Sequence, residues 1–344
     1  MKVQVLWKLN MYKTPLEYNQ AKTVAITPSL RWDGREDFSP WQGRARAKLT
    51  ELLGLPFEEC GDQLQIEYRE DRGIFIETRF RFQSEEGFYV PAHLWVPKGM
   101  AAPVPLVICL QGHSTGMHIS LGRPKYPGDA ETISDGDRDF AVRIIKEGYA
   151  ALAIEQRCFG EQGGTENGPD CTVSSLAALL IGRTTIGERV WDVRRALDVV
   201  EKNFSGIDRD KIICMGNSGG GTTAFFASCM DSRIRYSMPS SYFCSFDDCI
   251  GAMPHCACNF IPNIRLFFDM GDLAGLIAPR PLVIVCGCED PIFPQPGVQK
   301  AYREARRIYA GAGVPENLKL VTGDGGHRFY ADLGWEAMNK YIRP

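Results

Sequence analysis

Short apolar runs alternate with helical patterns along the chain after residue 97. Each run is only four to six residues long and is almost wholly apolar, which is typical of parallel strands whose two faces are both covered by helices. The runs are Pro105–Leu110, Tyr149–Ile154, Lys211–Met215, Pro281–Cys286 and Leu318–Val321. They predict the buried strands of one sheet.

Between these runs, apolar residues recur at spacings of three and four, which predicts helices. The clearest case is Glu188–Phe204, where Val190, Val193, Leu197 and Val200 share one face. Weaker patterns are Asp139–Glu147, Ala301–Tyr309 and Phe329–Ile342. Alternation of strands and helices predicts an α/β protein with a doubly wound, mostly parallel sheet.

The first hundred residues have a different character. Three stretches alternate apolar and polar residues with period two, which predicts antiparallel edge strands with one solvated face. They are Leu64–Arg69, Gly73–Phe82 and Gly87–Val96. Arg44–Leu55 is helical in pattern and Pro56 ends it. We therefore predict an N-terminal extension with a helix and edge strands at residues 1–98, packed on a larger α/β domain at residues 99–344.

Charge and hydropathy exclude several classes of protein. The chain of 344 residues has 39 Lys and Arg against 42 Asp and Glu, a formal charge of −3, and no dense basic stripe, so we expect no nucleic-acid partner. No stretch reaches the roughly 18 consecutive apolar residues of a membrane helix. The N-terminal residues lack the apolar core of a signal peptide. We expect a cytoplasmic protein without a membrane partner.

Twelve cysteines are present, and their positions favour free thiols. Cys109, Cys158, Cys214 and Cys286 lie in or beside the apolar runs, where a thiol behaves as a small hydrophobic group. A disulfide-stabilised secreted domain would be short and dense in cysteine, which this chain is not. Reduced thiols in a reducing compartment are therefore expected.

The strongest chemical signal is the sequence GNSGG at residues 216–220. It follows the predicted strand Lys211–Met215 and precedes the helix-like segment Thr222–Met230. This G-x-S-x-G pattern between a strand and a helix is typical of a nucleophile elbow, in which small neighbours allow a strained turn that exposes the serine hydroxyl. We predict that Ser218 is a nucleophile and that the amide of Gly219 is free to bind an oxyanion.

A serine nucleophile requires a base, and histidine is the usual one. In hydrolases with this elbow, the chain order is serine, then acid, then histidine. Only His255 and His327 follow Ser218. His327 lies in a glycine-rich loop between the last apolar run and the last helix, whereas His255 precedes every strand that could carry the acid. We predict that His327 is the base.

The acid that orients this histidine is expected at the end of the preceding strand. Asp290 follows Pro281–Cys286 closely, and Pro291 after it favours an extended backbone. Glu289 and Asp324 are the competing carboxylates. We predict that Asp290 completes the triad.

A second oxyanion donor normally comes from the loop after the first central strand. That loop is QGHSTG at residues 111–116. The backbone amide of His113, which follows Gly112, is our candidate, and Ser114 is the alternative.

The segment Tyr242–Ile261 contains four cysteines, one histidine and two aspartates. Zinc could use Cys and His ligands, but the spacing C-x4-C-x5-H-C-x-C differs from the usual paired CxxC. Packing or pocket lining is therefore favoured over a metal site or a redox pair. We expect activity without bound zinc and predict no cofactor.

With these motifs the chain resembles the α/β-hydrolase superfamily, and within it the acetyl xylan esterase and dienelactone-hydrolase-like group. The matching pieces are QGHSTG at 111–116, EQRCFGE at 155–161, GERVWDVRRALD at 187–198, GNSGGG at 216–221, APRPLVIVCGCEDPIFP at 278–294 and GGH at 325–327. The resemblance implies the α/β-hydrolase fold, ester hydrolysis and the triad Ser218, Asp290 and His327. Gln111 stands where the group usually has histidine.

Four further residues are assigned to the substrate. Gln111 and Arg157 follow predicted strands at the edge where ligands bind. Tyr242 and His255 belong to Tyr242–Ile261, a stretch that commonly roofs the pocket in such hydrolases and is called the roof segment below. An ion pair between Arg157 and Glu161 that orders the loop is an equally good interpretation of Arg157.

These observations favour a serine esterase that removes short acyl groups, acetyl above all, from a carbohydrate or a related small ester. The roof segment has no long apolar helix that would enclose a fatty chain, and it mixes aromatic rings with amides and carboxylates. We expect kcat/KM to fall from acetyl to octanoyl esters. The alternatives are a serine peptidase of the prolyl-oligopeptidase type and an inactive binding protein on the same scaffold. Whether the chain forms a homo-oligomer is left open.

Overall fold

A nine-stranded sheet forms the centre of the computed structural model, which describes residues 13–101 and 103–343. The strands are β1 Gln65–Asp71, β2 Phe75–Glu85, β3 Phe88–Pro97, β4 Val104–Leu110, β5 Ala150–Ile154, β6 Ile207–Asn217, β7 Tyr236–Ser240, β8 Leu282–Gly287 and β9 Leu318–Gly323. Their order across the sheet is β1-β2-β3-β5-β4-β6-β7-β8-β9. The central position of β4 and β6 brings the loops that follow them side by side.

The sheet is antiparallel at one end and parallel in the rest. β1, β2 and β3 pair in antiparallel fashion, and β3 joins β5 with Leu94 opposite Leu152. From β5 to β9 every neighbouring pair is parallel. This confirms the predicted α/β class with antiparallel edge strands. The sheet is continuous across residue 98, and the division into 1–98 and 99–344 stays a prediction.

Helices cover both faces of the sheet. They are α1 Pro15–Val24, α2 Phe38–Leu53, α3 Asp129–Gly136, α4 Phe140–Lys146, α5 Thr172–Leu180, α6 Thr185–Asn203, α7 Gly219–Met230, α8 Ile264–Phe267, α9 Met270–Ala274, α10 Gln295–Gly311 and α11 Ala331–Ile342. Among the described residues, no helix combines the length and the apolar character that crossing a membrane requires.

Two hydrophobic cores result, one on each face. Ile108 of β4 contributes to the core that contains α2, α6, α7 and α10. Its neighbour Cys109 contributes to the other core, which contains α4 and α11. Successive side chains of a strand point to opposite faces, so a strand covered on both sides must be apolar throughout. This is why the parallel strands could be recognised as continuous apolar runs.

The strand β7 was not predicted, because its sequence YSMPS contains two serines and a proline. Ser237 and Ser240 are nevertheless buried against neighbouring strands. The Ser240 hydroxyl donates to Asn217 Oδ1 at 3.0 Å, and the Ser240 carbonyl oxygen accepts a hydrogen bond from the amide of Ser218 at 2.9 Å. The missed strand therefore directly supports the turn that carries Ser218.

The helix α2 begins at Phe38, six residues before the predicted start. It buries Trp41, Ala45, Leu49 and Leu53, which recur every four residues and therefore share one face. This face packs on α6 and α7. The helix of the N-terminal extension is thus part of the main core.

Candidate active site

Ser218 occupies the turn between β6 and α7 with φ 56° and ψ −122°. A positive φ is uncommon for a residue with a side chain and marks a turn that the surrounding structure enforces. The side chain is half-buried, and the residue after it begins α7. The geometry is that of a nucleophile elbow, which presents the hydroxyl at the N-terminus of a helix.

The two glycines that flank Ser218 are required by close packing of the backbone. A Cβ atom on Gly216 would lie 2.4 Å from the carbonyl oxygen of Gly220, and one on Gly220 would lie 2.0 Å from the carbonyl oxygen of Leu110. Real Cβ atoms do not approach backbone this closely. The G-x-S-x-G pattern therefore needs glycine at these two positions because the neighbouring backbone leaves no room for a side chain, as expected for a nucleophile elbow.

His327 and Asp290 form the expected pair on neighbouring loops. His327 Nδ1 lies 2.8 Å from Asp290 Oδ2. Asp290 is 3% exposed, and its other oxygen accepts hydrogen bonds from the amides of Ile292 and Phe293. Burial alone would raise the pKa of Asp290, but the hydrogen bond and charge of His327 and the two amides hold that pKa below its usual value. An ionised Asp290 fixes the orientation of the imidazole and leaves Nε2 for the cleft.

The loop after β4 passes directly against Ser218. A Cβ atom on Gly112 would lie 2.9 Å from Cβ of Ser218, and one on Gly219 would lie 2.8 Å from Nδ1 of His113. The backbone around Gly112 and His113 is thus next to the serine, where a second oxyanion donor must be. Donation by the amides of Gly219 and His113 stays a prediction.

Ser218 and His327 line one cleft of about 340 Å³. Its other lining residues are His113, Arg138, Gly219, Met253, Pro254, His255, Cys256, Asn259, Ile292 and Phe293. The Phe293 ring stacks on His327 at 5.8 Å and contacts His255 at 5.5 Å. His255, which the sequence analysis assigned to the substrate, therefore lies at the cleft. Burial and the neighbouring imidazoles of His113 and His327 lower the pKa of His255, so this ring favours its neutral form.

A second cleft of about 490 Å³ adjoins the first and shares His113, Arg138 and His327 with it. Its wall is polar and carries the acidic side chains Asp129, Glu131, Asp135 and Glu166 together with Arg328. A molecule bound across both clefts would meet a small, partly apolar space at Ser218 and a larger polar space beside it.

Arg138 is the cleft residue that sequence reasoning missed. It is half-buried, it lines both clefts, and it forms no ion pair with any carboxylate of the described residues. Burial lowers its pKa, and its Nε is buried without a partner in the described part of the chain. The guanidinium is available to a polar substrate. Its position between α3 and α4 gave no signal, because both helices are too short for a clear pattern.

Gln111 and Tyr242 do not line either cleft. Gln111 is 2% exposed and donates hydrogen bonds to the Ser120 hydroxyl and to the carbonyl oxygen of Arg138. Tyr242 is 1% exposed and packs among Phe225, Phe226 and Phe293. Both side chains belong to the protein interior, so their assignment to the substrate is not supported. Position after a strand or within a roof segment does not determine which way a side chain points.

Arg157 is likewise committed to the protein. Its guanidinium lies 2.8 Å from Asp192 and 2.7 Å from Glu85, with Glu188 at 3.4 Å. Despite its burial, these carboxylates raise its pKa above the usual arginine value. The ion-pair interpretation is therefore correct in kind, but the partner is not Glu161. Glu161 instead pairs with Arg79 at 2.5 Å.

Comparison with known proteins places this geometry in a family. A family model described as "Abhydrolase family" matches residues 22–322. The "Putative hydrolase YtaP" of Bacillus subtilis (strain 168) is 28% identical over 302 residues, which cover 85% of this chain and 96% of that protein. Among solved structures, a "putative acetyl xylan esterase" of Bacteroides fragilis NCTC 9343 matches with a TM-score of 0.78 at 20% identity, covering 91% of this chain and 83% of that chain.

A glucuronoyl esterase from Solibacter usitatus matches with a TM-score of 0.66 at 14% identity, covering 92% of this chain and 96% of that chain. At such identities the likeness to solved structures is one of fold. The family model is the broader result, because it spans the sheet from α1 to β9 and includes the serine turn. The chain belongs to the Abhydrolase family of α/β-hydrolases.

Proposed function

We propose that the protein is a serine esterase that removes short acyl groups, acetyl above all, from a carbohydrate. The proposal depends chiefly on one observation. A serine in a strained strand-to-helix turn shares a cleft with a histidine whose other nitrogen is 2.8 Å from a buried carboxylate. Acyl transfer needs this combination of nucleophile, base and orienting acid.

In the proposed mechanism, His327 takes the proton of Ser218 as the hydroxyl attacks the ester carbonyl. The Gly219 and His113 amides stabilise the oxyanion, and His327 then gives the proton to the departing alcohol. Water repeats these steps on the acyl-enzyme and releases the acid. Every proton and every new bond is supplied by the triad, the substrate and water, so no cofactor takes part.

The two clefts support a small acyl group on a polar alcohol. The space at Ser218 is bounded by Met253, Ile292 and Phe293, whereas the adjoining space carries carboxylates and arginines. Sugar hydroxyls bind well to such charged side chains, while a fatty chain would desolvate them without compensation. The carbohydrate esterases among the structural neighbours agree with this assignment.

A uronic acid ester is the second candidate, since the Solibacter usitatus neighbour is a glucuronoyl esterase. In that case the sugar would be on the acyl side of the bond. Arg138, which has no carboxylate partner in the described part of the chain and lies in both clefts, could then contact the sugar ring from the acyl side. Acetylated sugars and uronate esters are therefore both required in the test.

The decisive experiment compares the wild type with Ser218→Ala on p-nitrophenyl esters of two to eight carbons, acetylated xylose and methyl glucuronate. We expect Ser218→Ala to reduce kcat by a factor of about 10⁴–10⁶, because the triad acts as a unit. For the wild type we expect kcat/KM to fall from acetyl to octanoyl.

The matched control is Ser134→Ala, which changes an exposed serine and should retain full activity. Retention of more than about a thousandth of the activity by Ser218→Ala would place the nucleophile elsewhere. A maximum at octanoyl would contradict the short acyl group, and a preference for methyl glucuronate over acetylated xylose would establish the second candidate. Faster cleavage of amides than of esters would favour a peptidase.

A further inference from the structure

Four side chains from three separate segments converge beside the nucleophile turn. His113 lies in the loop after β4, Cys171 directly precedes α5, and Cys256 and Cys258 belong to the loop between β7 and α8. One ring nitrogen and three sulfur atoms all lie within 4.8 Å of one another. His113 Nε2 is 3.2 Å from the Cys258 sulfur, which is 3.4 Å from the Cys256 sulfur.

These distances fit the ligand shell of a single metal ion. In tetrahedral zinc sites with Zn–S near 2.3 Å and Zn–N near 2.0 Å, neighbouring sulfurs are about 3.8 Å apart and nitrogen and sulfur about 3.5 Å apart. A Cys₃His set is one of the usual structural zinc sets, and its soft sulfurs favour zinc over magnesium or calcium. We propose that His113, Cys171, Cys256 and Cys258 bind one zinc ion.

A buried cation beside the cluster supports this proposal independently. Arg189 is 1% exposed and has no carboxylate within ion-pair distance among the residues described. Its guanidinium donates to the carbonyl oxygen of Arg157 at 2.7 Å, lies 3.7 Å from the Cys171 sulfur and stacks on Phe159. A buried charge without a counter-ion is strongly unfavourable.

Zinc binding would supply that counter-ion. Each of the three thiols loses its proton to solvent when its sulfur binds the metal, and His113 binds as the neutral imidazole. Zn²⁺ with three thiolates carries a net charge of −1, which compensates Arg189. Three protonated thiols would leave the guanidinium uncompensated, whereas the zinc thiolate cluster supplies its counter-ion.

The remaining cysteines of the roof segment have ordinary packing roles. Cys249 is fully buried and its sulfur donates to the carbonyl oxygen of Ser245 at 3.0 Å, and Cys244 is buried in the same core. The expectation that this segment binds no metal considered only the spacing within residues 242–261. Two of the four ligands, His113 and Cys171, come from elsewhere in the chain, where that spacing gives no information.

The zinc ion would have a structural role, and it would affect catalysis only by holding the loop of His113 in position. Four protein ligands fill a tetrahedral shell and leave no position for substrate. Zinc on Nε2 of His113 leaves Nδ1 facing Gly219. The ion would thus connect the loop over Ser218 to the roof and to the N-terminus of α5. It would hold the backbone amide of His113 in place.

The test is metal content, which does not depend on esterase activity. Protein purified without a chelator or a histidine tag should contain one zinc ion per chain by elemental analysis. Cys256→Ser and Cys171→Ser should lose it. The matched control Cys249→Ser, which changes a buried cysteine of the same roof segment, should retain it. Should the ligand variants fail to fold, the wild type stripped by a chelator and loaded with Co²⁺ should show the absorption bands of a tetrahedral thiolate site.

A thiol titration separates the metal from a disulfide. Denatured wild type in chelator should show all 12 cysteines as free thiols, whereas a disulfide within the cluster would hide two of them. The proposal is overturned if stripped protein binds neither Zn²⁺ nor Co²⁺, if Cys256→Ser and Cys249→Ser contain equal zinc, or if two thiols are missing. None of these outcomes bears on Ser218, so the esterase proposal stands or fails separately.

Discussion

Arg157 illustrates how single residues hold the loops of this protein in place. Its guanidinium is shared by Asp192, Glu85 and Glu188, and its flat face covers the Phe88 ring at 4.1 Å. The contacts join the loop after β5 to α6 and to the β2–β3 hairpin. Removing one member of such a buried cluster leaves charges without partners.

We expect Arg157→Ala to lower the free energy of unfolding by about 3–5 kcal/mol, because Asp192 is 1% exposed and would stay buried unpaired. Urea denaturation measures this change. The control Arg81→Ala removes an exposed arginine 3.9 Å from Glu67 and should change the free energy of unfolding by less than about 0.5 kcal/mol. Unchanged stability with a raised KM would instead show that Arg157 binds substrate.

Glu155 is a buried carboxyl that ties two active-site loops together. It accepts hydrogen bonds from the amides of Met117 and Glu161, and Gly116 and Gly160 pass so close that no Cβ would fit. Complete burial raises its pKa from 4.5 to about 7, although the two amides oppose this shift. The folded protein therefore holds this proton more tightly than the unfolded chain does.

A raised carboxyl pKa makes stability fall as pH rises between 4.5 and about 7. Glu155→Gln imitates the protonated form and removes this dependence. Between pH 4.5 and about 7, we expect the free energy of unfolding of the wild type to fall by about 3 kcal/mol more than that of Glu155→Gln. Denaturation of both proteins at several pH values measures the difference. Parallel curves would mean that Glu155 titrates alike in the folded and unfolded states.

At the scale of elements, the turn between β6 and α7 packs so closely against the end of β4 that no side chain fits between them. The first turn of α7 lies against the end of β4, and Gly220 meets the carbonyl oxygens of Leu110 and Gln111. The strained angles of Ser218 persist because the backbone on either side of it is packed this closely.

Gly220→Ala should therefore destabilise the protein by about 2–3 kcal/mol and reduce esterase activity, because backbone must move to admit the methyl group. Gly43→Ala is the matched control. Gly43 lies inside α2 with open space around it, so alanine should stabilise the protein by about 0.5–1 kcal/mol. Thermal and urea denaturation measure both changes. Equal effects at the two positions would contradict the close packing of the turn.

For the whole molecule, the elements before residue 98 complete the sheet and the core that the later elements form. β3 pairs with β5, and α2 contributes a buried face that includes Trp41. Gln42 of the same helix donates to the carbonyl oxygen of Gly275 at 2.7 Å. The contacts are those of a core and not of a hinged interface between domains.

We expect a fragment of residues 99–344 to be unable to fold alone, because it would expose the edge of β5 and the apolar faces of α6 and α7. The readouts are far-UV circular dichroism, urea denaturation and solubility, compared with the full chain. Cooperative unfolding of the fragment would show instead that the predicted boundary separates two independent units.

The sequence alone determined the class of fold and predicted the residues of the triad. Buried parallel strands must be apolar on both faces and the elbow needs glycines, so both are visible in the local sequence. Chain order then selected His327 and Asp290 from few candidates, and the structure places these two side chains in contact.

Tertiary structure decided which way the other side chains point and which distant segments meet. Nothing in the neighbourhood of Gln111 or Arg157 tells whether the side chain turns to the cleft or to the core. The same holds for Cys171, which reaches His113 and Cys258 only through the paths of three loops. Such contacts depend on how the packed helices and strands direct the loops between them. The path of a loop is set by this packing and cannot be predicted from the pattern of a few neighbouring residues.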